Sequence, residues 1–135
     1  NLGNGRYVGM PGALPSHVEP SSSISLGDVD GDGDLDALVG NGTTGSNNAQ
    51  IRVVNRLYLN NGNGTFIDGT ARLPSLPPDR TRAVALFDAD ADGDLDAYIG
   101  NGRDAQRFYR NDGTGRFIDA SMELPAWRAL CGGVA

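Results

Sequence analysis

Ten aspartates fall in two nine-residue stretches, Asp28-Val29-Asp30-Gly31-Asp32-Gly33-Asp34-Leu35-Asp36 and Asp88-Ala89-Asp90-Ala91-Asp92-Gly93-Asp94-Leu95-Asp96. Each stretch has carboxylates at its odd positions and a glycine at its sixth. Five like charges so close together repel one another unless a cation sits among them. A hard divalent ion that takes roughly six to eight oxygen ligands answers that need, and Ca2+ fits it better than Mg2+. The sixth-position glycine lets the backbone turn tightly enough to bring Asp28, Asp30 and Asp32 round one centre, and likewise Asp88, Asp90 and Asp92. Asp36 and Asp96 are expected to add side-chain oxygens. Asp34 and Asp94 are expected to add backbone carbonyls. The bland alternative is an acidic, solvated turn; two copies with one spacing and one Gly-Asp-Leu-Asp ending argue against it. An EF-hand-type loop would need flanking helices and an acidic twelfth position, which here is Val39 or Ile99. The expected cofactor is Ca2+, two ions per chain.

The elements that must hold such loops are β-strands. The chain has 135 residues, the length of one ordinary domain, with 39% hydrophobic content, 20 glycines and no long apolar run. That composition suits a turn-rich β protein with no membrane insertion. The net charge is −6, but ten of the 17 acidic residues lie in the two loops, so the remainder carries +4. Two bound Ca2+ would bring the total to −2. All 11 basic residues are arginine, which excludes lysine nucleophile or Schiff-base chemistry. They are scattered rather than striped among aromatic platforms, so no nucleic-acid partner is expected. Cys131 stands alone and cannot build a disulfide framework.

A second signature repeats between the loops. Asn60-Asn61-Gly62-Asn63-Gly64-Thr65-Phe66-Ile67-Asp68 is followed by Leu73-Pro74, and Asn111-Asp112-Gly113-Thr114-Gly115-Arg116-Phe117-Ile118-Asp119 by Leu124-Pro125. Asn1 to Gly9 with Leu14-Pro15 is a weaker third copy. Internal repetition of this kind points to a modular β array. Within the first unit, Ser23–Leu26, Leu35–Val39, Arg56–Leu59 and Thr65–Ile67 read as strands. Gly40-Asn41-Gly42 is expected to end the second of them through positive φ. The second unit repeats the set with Arg82–Phe87, Leu95–Ile99, Arg107–Arg110 and Arg116–Ile118. Four short antiparallel strands per unit is the pattern of a propeller blade. The first unit is longer, and its surplus falls in the polar segment Thr43–Gln50, read as a surface loop. Gly133-Val134-Ala135 matches Ala83-Val84-Ala85, so a third Asp loop is expected just past Ala135. The organisation read from this is all-β: residues 1–22 end a preceding blade and its connector, 23–70 and 71–120 are blades with one Ca loop each, and 121–135 begin another. The chain is thus expected to be a segment of a larger propeller or of an assembled array, whose open edges need further blades from the parent chain or other subunits.

Asp28–Asp36, Leu57-Tyr58-Leu59-Asn60-Asn61-Gly62-Asn63-Gly64-Thr65-Phe66 and Leu73-Pro74 together resemble the FG-GAP/VCBS repeat family, which includes the propeller of integrin α subunits. The resemblance covers nearly the whole chain. It implies four-stranded blades, usually seven to a ring, with Ca2+ held in the hairpin loop between the first two strands. By position it implies Asp28, Asp30, Asp32, the Asp34 carbonyl and Asp36 as one ligand set, and Asp88, Asp90, Asp92, the Asp94 carbonyl and Asp96 as the other. The name-giving Phe-Gly reads Leu26-Gly27 and Leu86-Phe87 here, and Gly-Ala-Pro reads Gly40-Asn41-Gly42 and Gly100-Asn101-Gly102, so adhesion by the integrin mechanism is not implied.

The function expected is a non-catalytic, calcium-binding scaffold of a secreted, cell-surface or periplasmic protein, engaging a protein or glycan partner. Weak Ca2+ loops, with dissociation constants of roughly 10⁻⁴ to 10⁻³ M, suit such compartments. A glycan-binding lectin is one alternative, with Tyr58, Tyr98, Tyr109 and Trp127 as candidates, each of which also reads as packing between blades. Others are an accessory propeller of a secreted enzyme and a subunit of an extracellular filament or complex. A hydrolase using paired aspartates is disfavoured: metal ligation accounts for the clustered carboxylates, and His17, the only histidine, sits in a connector-like segment. The sequons Asn41-Gly42-Thr43 and Asn63-Gly64-Thr65 are explained by turn chemistry.

Overall fold

The computed structural model describes residue 6 and residues 8–42, 53–102 and 104–125. The Thr43–Gln50 insertion, Trp127, Cys131, Gly133–Ala135 and most of the weak first repeat lie outside the described residues.

The architecture is all-β. Strands β1 (Ser21–Gly27), β2 (Asp36–Asn41), β3 (Arg56–Asn60) and β4 (Phe66–Asp68) form one antiparallel meander, in the order β1-β2-β3-β4. Strands β5 (Thr81–Phe87), β6 (Asp96–Asn101), β7 (Arg107–Asn111) and β8 (Phe117–Asp119) form a second, in the order β5-β6-β7-β8. The registers superpose residue for residue: Gly27 opposes Asp36 as Phe87 opposes Asp96, and Ala37 opposes Tyr58 as Ala97 opposes Tyr109. Each first strand shifts register near its start, between Ser21 and Ser23 and between Thr81 and Ala83. Each sheet has the strand plan of a propeller blade. A short 3₁₀ turn follows each last strand, at Thr70–Arg72 and Ser121–Glu123.

The strands begin and end close to where alternation places them, with one instructive slip. The last strand of each sheet starts at Phe66 and Phe117, one residue later than the pattern suggests, and runs on through Asp68 and Asp119. Thr65 is held back because its N–H and hydroxyl both donate to Asn63 Oδ1, at 3.0 and 2.6 Å. That turn uses Gly62 and Gly64 at φ +71° and +84°, as an Asn-Gly-Asn-Gly sequence should.

The expectation for Gly40-Asn41-Gly42 needs correction. Strand β2 runs through Asn41, and neither glycine has a positive φ. Both are small because β5 of the next sheet lies against them. A Cβ on Gly42 would stand 2.5 Å from the Thr81 carbonyl oxygen, and one on Gly40 would stand 2.8 Å from Val84 Cγ1. Asn41 is buried, and its amide donates to Glu19 Oε2 and the Val54 carbonyl, so it is no glycosylation acceptor.

The two sheets share one core. Val29, Leu38, Leu57 and Leu59 from the first pack with Val84, Ala97, Ile99, Tyr109 and Phe117 from the second, flanked by Leu73, Leu76, Leu86 and Leu95. Leu38, Leu57 and Ile99 are wholly buried, each contributing roughly 1.5–3 kcal/mol of transfer free energy. Strand β1 lies beside β5, where the Ser23 and Ser25 hydroxyls accept the N–H groups of Val84 and Leu86, at 3.3 and 3.1 Å. Equivalent ion pairs tie the connector before each sheet to its third strand: Glu19 to Arg56, and Asp79 to Arg107. The hydrogen bond from Arg56 holds Glu19 below the usual carboxylate range despite partial burial. This pair therefore stabilises fully above the ordinary glutamate pKa and is lost as pH falls through the lowered one.

Candidate metal centre

Each aspartate stretch is the loop of a hairpin, between β1 and β2 and between β5 and β6. The first aspartate organises the turn. Asp28 Oδ1 accepts the N–H of Gly31 at 2.8 Å and of Asp32 at 3.2 Å, and Oδ2 accepts that of Gly33 at 2.9 Å. Asp88 does the same for Ala91 at 2.8 Å and Gly93 at 3.1 Å. Asp32 and Asp92 each accept the N–H two residues on. The sixth-position glycines, Gly33 and Gly93, sit at φ +91° and +97°, so the turn needs them. The fourth position is also left-handed, as Gly31 at +75° but as Ala91 at +64°.

The folded loops bring together Asp28, Asp30 and Asp36 in the first case and Asp88, Asp90 and Asp92 in the second, each group with one oxygen per residue within 4.8 Å of the others. Asp32 stands outside the first group and Asp96 outside the second. Asp34 and Asp94 turn their carboxylates toward the β3–β4 and β7–β8 turns, so close that a Cβ on Gly62 or Gly113 would lie 2.4 or 2.6 Å from an oxygen. Neither carboxylate joins the convergent group of its loop.

The ninth aspartate has a structural duty that the spacing alone does not disclose. Asp36 is wholly buried, with Oδ2 accepting the Val29 N–H at 2.9 Å and Oδ1 the Asn60 N–H at 2.8 Å. Asp96 Oδ1 accepts the Asn111 N–H at 2.9 Å. The ninth position thus pins the loop to the end of the third strand. Burial pushes the Asp36 carboxyl up; the two amide donors oppose that, and the charges of Asp30 and Asp32 add to it. Asp94 is also raised, first by desolvation and then by the charges of Asp92, Asp88, Asp96 and Asp112.

Among the described residues, two carboxylate oxygens are buried without a hydrogen-bond partner: Asp30 Oδ1 and Asp96 Oδ2. A buried, unsatisfied carboxylate oxygen costs free energy that a cation would relieve. With three convergent carboxylates per loop and, among the described residues, no nitrogen or sulfur donor in either group, the donor set fits a hard, oxygen-seeking divalent ion.

Arginines reach both loops, a feature spacing did not reveal. Arg72 Nη1 lies 3.3 Å from Asp30 Oδ2 and donates to the Thr114 carbonyl of the second sheet at 2.7 Å. Arg110 pairs with Asp90 and also donates to Glu123 Oε2 at 2.8 Å. The repeats superpose Arg72 on Glu123 and Arg110 on Leu59, so each loop receives its guanidinium from a different place. No repeated motif could have signalled that.

Three of the four aromatic candidates lie within the described residues. Tyr58 and Tyr109 are buried, and burial pushes the Tyr109 phenol up to about 12. Tyr98 sits within 3.4 Å of Gln106. His17 lies 3.4 Å from Asp68 and against the Tyr58 ring, in the connector before β1.

A family model described as an FG-GAP-like repeat matches residues 28–99, more than half the chain, from the first aspartate of the first loop into β6. No curated protein and no solved structure matches the chain.

Proposed function

The chain belongs to the FG-GAP-like repeat family, and from that premise we propose that it is a non-catalytic, calcium-binding propeller segment. One Ca2+ would be held by Asp28, Asp30 and Asp36 with Asp32 and the Asp34 carbonyl, and a second by Asp88, Asp90 and Asp92 with Asp96 and the Asp94 carbonyl. The ion supplies positive charge alone; the chain's own groups shape the loop, through the amides that Asp28 and Asp88 gather. The observation that carries this reading is the pair of buried, unpartnered carboxylate oxygens, Asp30 Oδ1 and Asp96 Oδ2, within loops that already gather three carboxylates each.

The biological setting follows from the same chemistry. A scaffold closed by weak Ca2+ loops works where calcium is abundant: outside the cell, on its surface or in a periplasm. Its partner there is a protein or a glycan, engaged by the blade surfaces. The test is calorimetric titration of the chelator-stripped chain with Ca2+. Two ions are expected to bind, and Asp30→Ala and Asp90→Ala are each expected to remove one. Unchanged stoichiometry in both variants would overturn the proposal.

A further inference from the structure

The contact between the two sheets shows what a blade of this kind requires of its neighbour. On β1, Ser22, Ser23, Ser25 and Gly27 meet β5. The Ser22 hydroxyl lies 2.8 Å from the Thr81 carbonyl, Ser23 and Ser25 accept the β5 amides of Val84 and Leu86, and Gly27 leaves room for leucines. A Cβ on Gly27 would stand 2.5 Å from Leu95 Cδ1 and 3.3 Å from Leu86 Cδ1. Val29 seats beside Gly115, and the Asn111 amide spans both loops, donating to Leu95 O at 3.1 Å and to Val29 O at 2.7 Å.

The first sheet presents the same donor surface a second time, on its opposite face. Ile24, Leu26 and Leu35 are the repeat equivalents of Val84, Leu86 and Leu95, yet they are 61%, 57% and 57% exposed, whereas Val84 is 8% exposed. Asn60 is the equivalent of Asn111, and among the described residues its amide reaches Leu35 O only, at 3.2 Å. This is an unpartnered apolar face whose complement is already displayed in the molecule.

The described residues of a second copy do not supply that complement. The Ser22–Gly27 seat of any copy is filled by its own β5. The far face of the second sheet carries Arg82, Ala83, Ala85, Phe87 and Ala89 where the seat needs Ser22, Ser23, Ser25, Gly27 and Val29. Alanines accept no amide hydrogen, and Phe87 fills the space that Gly27 leaves open. The Arg82 side chain lies over Gly102, where a Cβ would meet its Nε at 2.3 Å, whereas the equivalent Gly42 receives the backbone of Thr81.

We propose that the outer face of the first sheet docks another four-stranded blade whose innermost strand reads Ser-Ser-x-Ser-x-Gly in the manner of Ser22–Gly27, followed by an Asp loop with an apolar second residue, and that this chain's own second sheet is excluded as that partner. The inference rests on sheet stacking and not on metal binding. Hydroxyls cap the edge amides of β1, and the glycine admits Leu26 and Leu35. The direction of assembly is thereby encoded in one strand.

The test grafts the seat onto the excluded face. The full chain carrying R82S, A83S, A85S and F87G is compared with the wild type by light scattering over a range of concentrations, both in calcium. All four positions are exposed, so circular dichroism is expected to show an unchanged β signal. The wild type is expected to run as a monomer and the graft as concentration-dependent species of at least twice its mass. Adding I24E and L26E to the graft is expected to return it to monomer. A monomeric graft, graft assembly that survives I24E/L26E, or wild-type assembly that those substitutions abolish would each overturn the proposal. Should the fourfold graft lose its β signal, R82A/F87G clears the seat without adding hydroxyls and is expected to assemble more weakly with the same I24E/L26E sensitivity. No assembly by that variant would equally overturn it.

Discussion

Asp30 and Asp90 hold the same place in the same motif, yet the Asp30 side chain is 19% exposed and that of Asp90 38%. The first loop is wedged between sheets: Val29 is buried, its carbonyl accepts the Asn111 amide, and Arg72 straps Asp30 to Thr114 across the gap. The second loop meets the first sheet through Leu95, which lies beside Gly27, but its second residue, Ala89, is exposed. Identical ligand spacing therefore gives one loop whose second and third residues are built into an interface and one in which the same two positions stay open. A loop's environment here is decided by the blade that comes after it.

The largest expected contrast is at the ninth position. Asp36→Ala leaves the buried Val29 amide and the half-buried Asn60 amide without acceptors, at roughly 1–3 kcal/mol each, so a loss of about 3 kcal/mol is expected. Asp96→Ala strands only the Asn111 amide and removes an oxygen that had no partner, so a loss nearer about 1 kcal/mol is expected. Urea denaturation in chelator isolates this from any bound ion. Equal losses would break the comparison.

That asymmetry shows where sequence reading runs out. The hairpins, the loop between the first two strands and the left-handed glycines were legible because each depends on residues near in sequence: alternation, Asn-Gly turns, a carboxylate every second residue. The ten aspartates were legible as a set, but their division was not. That Asp36 joins Asp28 and Asp30 while Asp92 joins Asp88 and Asp90 depends on packing around each loop. Gly40 and Gly42 looked like turn residues because close approach by a strand some forty residues on leaves no local trace. The asparagines at positions 60 and 111 open the same repeated signature, yet only at Asn111 do the described residues show a bond that crosses between sheets.

Metal removal is the next contrast. A ligand at a hundred times its dissociation constant stabilises by about 2.7 kcal/mol, so stripping calcium is expected to lower the melting temperature by several degrees. In saturating calcium, Asp30→Ala is expected to cost more than Asp90→Ala, because an ion held in the first loop would also anchor the contact between sheets. Thermal melts in matched buffers check the order. The reverse order would mean that burial of the first loop adds nothing to its ion.

A smaller effect separates the two asparagines. Asn111→Ala removes a buried amide that serves two carbonyls, and about 1.5 kcal/mol is expected to be lost. Asn60→Ala removes two exposed bonds, one to the Leu35 carbonyl and one from the Gly62 N–H, and about 0.5 kcal/mol is expected. Chemical denaturation of the two variants side by side sharpens the contrast between an interface position and its uncovered twin.

The smallest contrast lies in the fourth loop position, where Gly31 and Ala91 adopt nearly the same left-handed backbone. Steric room does not distinguish them: a Cβ on Gly31 would meet nothing nearer than the Gly113 carbonyl at 3.8 Å. Only backbone strain differs, at roughly 1–2 kcal/mol for an L-residue in this region, offset by the extra freedom glycine has when unfolded. Ala91→Gly is therefore expected to stabilise by about 0.5 kcal/mol and Gly31→Ala to destabilise by about as much. Both effects are expected in chelator as well as in calcium, because the Asp28 and Asp88 carboxylates already hold the fourth-position amides at 2.8 Å. A gain for Ala91→Gly that appears only with calcium present would mean that the ion, and not the first aspartate, forces the turn.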